Sequence, residues 1–198
     1  MLPVQASWDL GFTGATAIWF IQVVGRKVRL VDYHEESGAG LDHYAKVLDE
    51  KRDLHGWRYG NGADPTRAQH WFPHDVEVNE LATGVSRAAT LRTLGIEPTV
   101  VPSANLLDGI NATRRLLSRA WIDEERCRRG LAALQAYRRE WDEATRTFKP
   151  KPLHEWSSHG ADALRTFAMG FGDDSARRRR ERAYQRQKKS RGTSWMVA

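Results

Sequence analysis

The chain has 198 residues, 40% of them hydrophobic and 10% aromatic, with a single cysteine, Cys127, and a formal charge of +6. That composition excludes a disordered chain, an internal disulfide and a cysteine-rich zinc site, and no stretch approaches a membrane span. With a first segment lacking a basic-then-apolar layout, it points to a soluble, intracellular protein of one full-sized domain plus a tail.

The charge is unevenly spread. Residues 176–191 hold nine Lys/Arg and one Glu, leaving 22 basic against 24 acidic residues elsewhere. The body is therefore not a basic nucleic-acid binder. The cluster, with Arg177, Arg178, Arg179, Arg180, Lys188 and Lys189 at its heart, reads either as a solvated tail or as a contact for a polyanion. The division expected is a domain over residues 1–172 and a basic tail over 173–198.

In chain order, residues 4–8 form a short apolar strand that runs into Asp9 and the turn Leu10-Gly11-Phe12-Thr13-Gly14. Residues 15–24 are rich in branched and aromatic side chains, as a strand should be. Gly25-Arg26 signals a hairpin into a third strand at 27–33, completing an antiparallel meander. Leu41, Tyr44, Ala45 and Leu48 then fall at helical spacing over 40–52. Residues 56–68 are loop-like, and 69–74 (QHWFPH) read as a fourth strand leading into Asp75. A helix at 85–94, a strand at 97–101 and a helix at 104–119 follow. Asp123 is the expected N-cap of a helix over 124–140, and 147–156 reads as a loop or extended arm. Ser158 is the expected cap of a last helix over 159–171, with Ala161, Leu164, Phe167, Ala168 and Phe171 inward.

A three-strand meander followed by β-α-β crossovers predicts a mixed sheet of five strands or more, flanked by helices. That is the order of the ribonuclease H-like α/β fold. There the first and fourth strands are parallel neighbours and the last helix packs beside them. Asp9, Asp75 and Asp162 would then converge. Close carboxylates repel unless a cation sits between them, and Mg2+ or Mn2+ favours such oxygen ligands. Two ions about 3.5–4 Å apart activate a water and stabilise the leaving oxygen of a phosphodiester. Asp9 would bridge both, with Asp75 on one and Asp162 on the other. His159, one helical turn before Asp162, would orient a phosphate or water as an auxiliary group.

Each acid also has a plain reading. Asp9 precedes two turn glycines, Asp75 is able to cap a turn with Asp64 or Glu77 as substitutes, and Asp162 suits the start of a helix. His159 reads equally as a surface histidine. Asp32, in the third strand, is expected to alternate out to solvent.

Four stretches carry a more specific likeness: WDLGFTGATAIWF, VDYHEESGAGLDHYAKVL, HWFPHDVEVNELATGVSR and PLHEWSSHGADALR. In this order they resemble the nuclease domain of phage terminase large subunits, over residues 7–170. The resemblance implies a metal-dependent endonuclease cutting concatemeric double-stranded DNA during packaging, in the cytoplasm of an infected bacterium. It implies metal ligation by Asp9, Asp75 and Asp162, and a DNA-approaching loop at Thr83-Gly84-Val85-Ser86-Arg87. It also implies a portal or procapsid and a small terminase subunit as partners, and an ATPase domain upstream. No G-x-x-x-x-G-K-[S/T] occurs in these residues, so the chain is either the nuclease part of a longer protein or a lone relative.

Four other readings compete. A resolvase or transposase nuclease has the same fold. A DNA-binding or portal-docking module without catalysis would suit the basic tail. The Asp-Leu-Gly-x-Thr turn also occurs in sugar kinases and chaperone ATPases, which need a second similar domain that 198 residues do not hold. A zinc enzyme built on His70 and His74 lacks further ligands at suitable spacing.

Overall fold

The computed structural model describes residues 2–11, 14–57, 69–80 and 84–172. Strands β1 (Gln5–Asp9), β2 (Ala15–Val24) and β3 (Lys27–Ser37) form the expected antiparallel meander. Helix α1 (Leu41–His55) follows, then β4 (His70–Pro73), a short 3-10 turn (His74–Glu77), α2 (Arg87–Thr93) and β5 (Pro98–Val101). The order continues with α3 (Leu106–Leu117), β6 (Ala120–Ile122), α4 (Arg128–Ala136), β7 (Arg139–Asp142) and β8 (Thr147–Pro152). A final helix, α5, covers 156–172.

Six strands make one mixed sheet in the order β5-β4-β1-β2-β3-β6, and β7 and β8 form a separate antiparallel ribbon. As expected, β1 and β4 are parallel neighbours, with Ala6 opposite His70 and Ser7 opposite Trp71. The carboxyl ends of these strands therefore leave the sheet side by side.

The sheet separates two apolar layers. On one face, Trp8, Ile18, Phe20 and Phe72 pack against Tyr44 and Leu48 of α1 and Ala88 and Leu91 of α2. Trp8 stacks on Phe72 with ring centroids 4.9 Å apart and meets Tyr44 edge-on. On the other face, Ala17, Trp19, Ile21 and Trp71 pack against Leu116 of α3, Cys127, and Ala163, Leu164 and Phe167 of α5.

Several boundaries differ from the sequence expectation, each for a local reason. Helix α4 starts at Arg128, not at 124, because Asp123 caps a preceding turn by accepting the backbone N–H of Arg126 and of Cys127. The chain leaves that helix at Ala136 and pairs Arg139–Asp142 with Thr147–Pro152 across a turn closed by the Asp142 carboxylate. The extended arm expected at 147–156 is thus half of a ribbon. Helix α5 begins three residues early, at 156. Ser158 lies inside its first turn, its hydroxyl donating 2.6 Å to the Glu155 carbonyl.

Asp32 corrects the alternation reading. The β2–β3 pairing shifts register between Phe20 and Ile21, whose partners are Asp32 and Leu30, so Val31 is skipped. This bulge reverses the parity of β3. Val28 and Leu30 share the α5-side layer, whereas Asp32 is only 5% exposed and pairs with Lys51 of α1.

His70 opens β4 fully buried, and desolvation pushes its imidazole from the ordinary 6.5 down to about 4. Below pH 6.5 the unfolded chain takes up a proton that the folded chain refuses until about pH 4. The contribution of His70 to stability therefore falls as pH drops through that window, by about 3 kcal/mol, and is constant above it. Urea unfolding of wild type and His70→Gln from pH 7.5 to 4 isolates it: the stability difference between the two chains should shift against wild type by about 3 kcal/mol over that range.

Candidate metal centre

Asp9 is the last residue of β1, on the same face as Ser7, and that face is covered by α5. Two buried hydrogen bonds fix the helix there: Ser7 Oγ donates to the Ala163 carbonyl at 2.6 Å, and Trp19 Nε1 donates to the Gly160 carbonyl at 2.8 Å. Asp162 sits between these two anchored carbonyls. It is in the second turn of α5, not the first, because the helix begins at 156. The close approach requires small residues on the helix. A Cβ at Gly160 would stand 2.9 Å from the Tyr33 hydroxyl, and one at Gly170 would stand 2.5 Å from the Trp71 ring.

Asp75 does not end β4 but lies two residues beyond it, in the 3-10 turn, with Val76 buried beneath and Asp75 exposed. All three aspartates line one cleft of about 280 Å³. Pro73 and His74 form one wall, Pro102 to Asn105 another, and Arg165 and Thr166 of α5 the floor. Glu77, the alternative to Asp75, does not line it, and Asp64 lies outside the described residues.

Burial and neighbouring charges act on Asp162 above all. Burial, opposed by Arg165 and aided by Asp9, pushes the Asp162 carboxyl up to about 6. Its Oδ1 is buried without a hydrogen bond of good geometry, although the Arg165 guanidinium lies 2.7 Å away in ion-pair contact. His159 Nδ1 stands 3.1 Å from Asp9 Oδ2, and this hydrogen bond raises the imidazole pKa above its ordinary value against the effect of burial. The His159 ring reaches Asp9 over Gly14, where an added Cβ would lie 2.7 Å from it. The turn glycine is thus a clearance for the histidine.

Arg165 escaped the sequence reading. Its signal was the i, i+3 spacing from Asp162, and the tight passage of its stem over Gly109 of α3 is visible only in three dimensions. Glu35 was also missed. It shares a pairing level with Asp9 through Ala17, but two strand spacings, roughly 10 Å, separate them. Its carboxylate is held by the Tyr33 hydroxyl and Arg129 and stays outside the cleft.

The DNA-contact expectations are placed less fully. Arg87 opens α2 with its side chain 17% exposed, 3.4 Å from a Glu80 oxygen and 3.5 Å from the Leu10 carbonyl, beside the end of β1. Arg177, Arg178, Arg179, Arg180, Lys188 and Lys189 lie outside the described residues.

An oxygen donor set with one buried, poorly satisfied carboxylate oxygen suits a hard divalent cation, which would relieve the repulsion between Asp9 and Asp162. No helix among the described residues is long and apolar enough to cross a membrane.

No family model and no curated protein matches the chain. Solved structures do. The large terminase of a thermophilic bacteriophage superposes with a TM-score of 0.59 at 18% identity, covering 84% of this chain and 39% of that one. The large terminase nuclease domain of bacteriophage SPP1, solved with bound Mn, gives 0.58 at 14% identity, covering 87% and 86%. The nuclease domain of the P22 large terminase gives 0.60 at 14% identity, covering 85% and 80%. The fold is the ribonuclease H-like fold of terminase nuclease domains. The chain spans about two-fifths of the thermophilic phage's large terminase and most of the length of the isolated nuclease domains.

Proposed function

We propose that this domain, built on the fold of phage terminase nucleases, is a divalent-metal-dependent endonuclease of double-stranded DNA. The observation that carries the reading is the shared cleft of Asp9, Asp75 and Asp162 at the carboxyl ends of the parallel strands β1 and β4. The Mn bound to the SPP1 domain supports a divalent cation here. Asp9, Asp75 and Asp162 would hold two such ions, Mg2+ or Mn2+, which when bound supply Lewis acidity for water attack on a phosphodiester.

The chain's own groups set the stage for that chemistry. His159 holds the Asp9 carboxylate in one orientation through its 3.1 Å contact. Arg165 keeps a positive charge at the floor of the cleft, where it balances Asp162 and faces an incoming phosphate. The Ser7 and Trp19 hydrogen bonds keep α5 from sliding on the sheet, so the carboxylates stay in register. Arg87 and the basic segment with Arg177–Arg180, Lys188 and Lys189 are proposed as sequence-independent phosphate contacts.

In its parent protein the domain would cut concatemeric viral DNA, joined to an upstream ATPase domain, in the cytoplasm of an infected cell. A portal or procapsid and a small terminase subunit are the partners this role requires. Plasmid incubated with the full chain tests the chemistry. Nicking and linearisation are expected in Mg2+ or Mn2+ and none in chelator. Cutting that persists in chelator, or none in either metal, overturns the proposal.

A further inference from the structure

The sheet face opposite α5 carries a second cluster of metal-ligating side chains. Beyond its bulge, β3 turns its even-numbered residues toward α1, which brings His34 and Glu36 to that side. His43, in the first turn of α1, meets them. Each of the three offers one ligand atom, and these atoms lie within 4.8 Å of one another. The two imidazole rings are 5.9 Å apart at 35°, and Tyr44 stands edge-on to both. The Tyr44 hydroxyl donates to the Glu36 carbonyl at 3.0 Å, tying α1 to β3 at the level of the cluster.

A second observation is independent of this proximity. His34 Nε2 and His43 Nε2 are both buried, and neither has a hydrogen-bond partner among the described residues. Buried polar atoms in folded proteins are nearly always paired. Two orphaned imidazole nitrogens beside a carboxylate share one simple solution, a common cation.

We propose that His34, Glu36 and His43 bind a divalent transition cation of the Zn2+ type, at a site separate from the carboxylate cleft. Imidazole ligands favour such borderline ions, whereas Mg2+ demands oxygen and six positions. Two nitrogens and one oxygen leave the fourth tetrahedral position to water. Bonds of 2.0–2.1 Å imply ligand atoms roughly 3.3 Å apart, so the site must close by no more than about 1.5 Å. Glu36 is exposed, whereas the two histidines are partly buried. The bound ion would staple β3 to the first turn of α1 across the turn at 38–40. The site owes nothing to the nuclease reading, since it lies on the other sheet face and uses none of the cleft residues.

The test is titration of chelator-stripped full chain with Zn2+ by calorimetry, and with Co2+ by visible absorption, in excess Mg2+ to occupy the oxygen-rich cleft. One equivalent of Zn2+ and a tetrahedral Co2+ band are expected, together with a higher melting midpoint in Zn2+. Glu36→Gln, at an exposed position, and His43→Gln each remove a ligand and should weaken Zn2+ binding by at least the ~10–100-fold typical of losing a mere outer-shell partner. Asp9→Asn should leave it unchanged. The absence of Zn2+ binding under excess Mg2+ overturns the proposal. So does binding that survives both Glu36→Gln and His43→Gln, or that disappears in Asp9→Asn. Binding and melting are read without DNA, so failure of the endonuclease proposal would leave these outcomes intact.

Discussion

Asp9→Asn, Asp75→Asn and Asp162→Asn are each expected to cut plasmid DNA about 10²–10³-fold more slowly than wild type, the scale of losing one preorganised electrostatic group. The three should behave alike despite unlike surroundings: Asp75 exposed in a 3-10 turn, Asp9 at a strand end against His159, Asp162 largely buried against Arg165. What unites them is the cleft. His159→Gln touches the same site through Asp9, and a smaller loss is expected, about 10–100-fold, as for groups that orient a ligand. None of these changes should lower the melting midpoint of the metal-free protein much. Asp162→Asn removes a carboxylate that burial and Asp9 disfavour as an anion but also breaks its ion pair with Arg165, so the two effects oppose each other and its midpoint should move little. Rates come from the disappearance of supercoiled plasmid in Mg2+ and in Mn2+. A variant that retains full activity takes its residue out of the site.

Trp8→Ala is expected to cost about 3–5 kcal/mol of stability, the range for deleting a large buried aromatic. Trp8 is completely buried, stacked on Phe72 of the neighbouring β4 and edge-on to Tyr44 of α1, so its loss opens a cavity between three elements. It also precedes Asp9, and the same side chain that fills one layer aims the next residue at the other. Denaturant unfolding monitored by far-ultraviolet circular dichroism reads the loss directly. Cleavage should decline in step with the folded fraction. A variant as stable as wild type would show that the β1–β4 contact contributes far less than its packing implies.

Much of this was legible in the residues. The apolar character of β1, the branched and aromatic content of β2, the turn at Gly25 and the helical spacing of Leu41, Tyr44 and Leu48 are local patterns, and the elements formed where those patterns lie. Strand order follows from them, because a meander followed by crossovers has few ways to close. That order alone puts Asp9 and Asp75 at one end of the sheet, since β1 and β4 are parallel neighbours. Short elements were not legible. Strand β6 is three residues long and exists because β3 offers it an edge, and the β7–β8 ribbon depends on the Asp142 turn that ends the helical run early.

By itself, then, the sequence determined the meander, the crossovers and Asp9 at the end of its strand, since periodicity and turn chemistry act over a few neighbouring residues, whereas Asp75 lies beyond β4 and Asp162 one turn further into α5 than the residues suggested. Only the tertiary structure decided which side chains meet. The skipped Val31 turns Asp32 onto Lys51 and brings His34 and Glu36 to His43, reversing what strict alternation along β3 would have placed there. Glycines at 14, 109 and 160 admit His159, Arg165 and Tyr33 at distances no larger residue would allow. A bulge and a close approach are properties of two segments at once, and one segment's sequence carries only half of each.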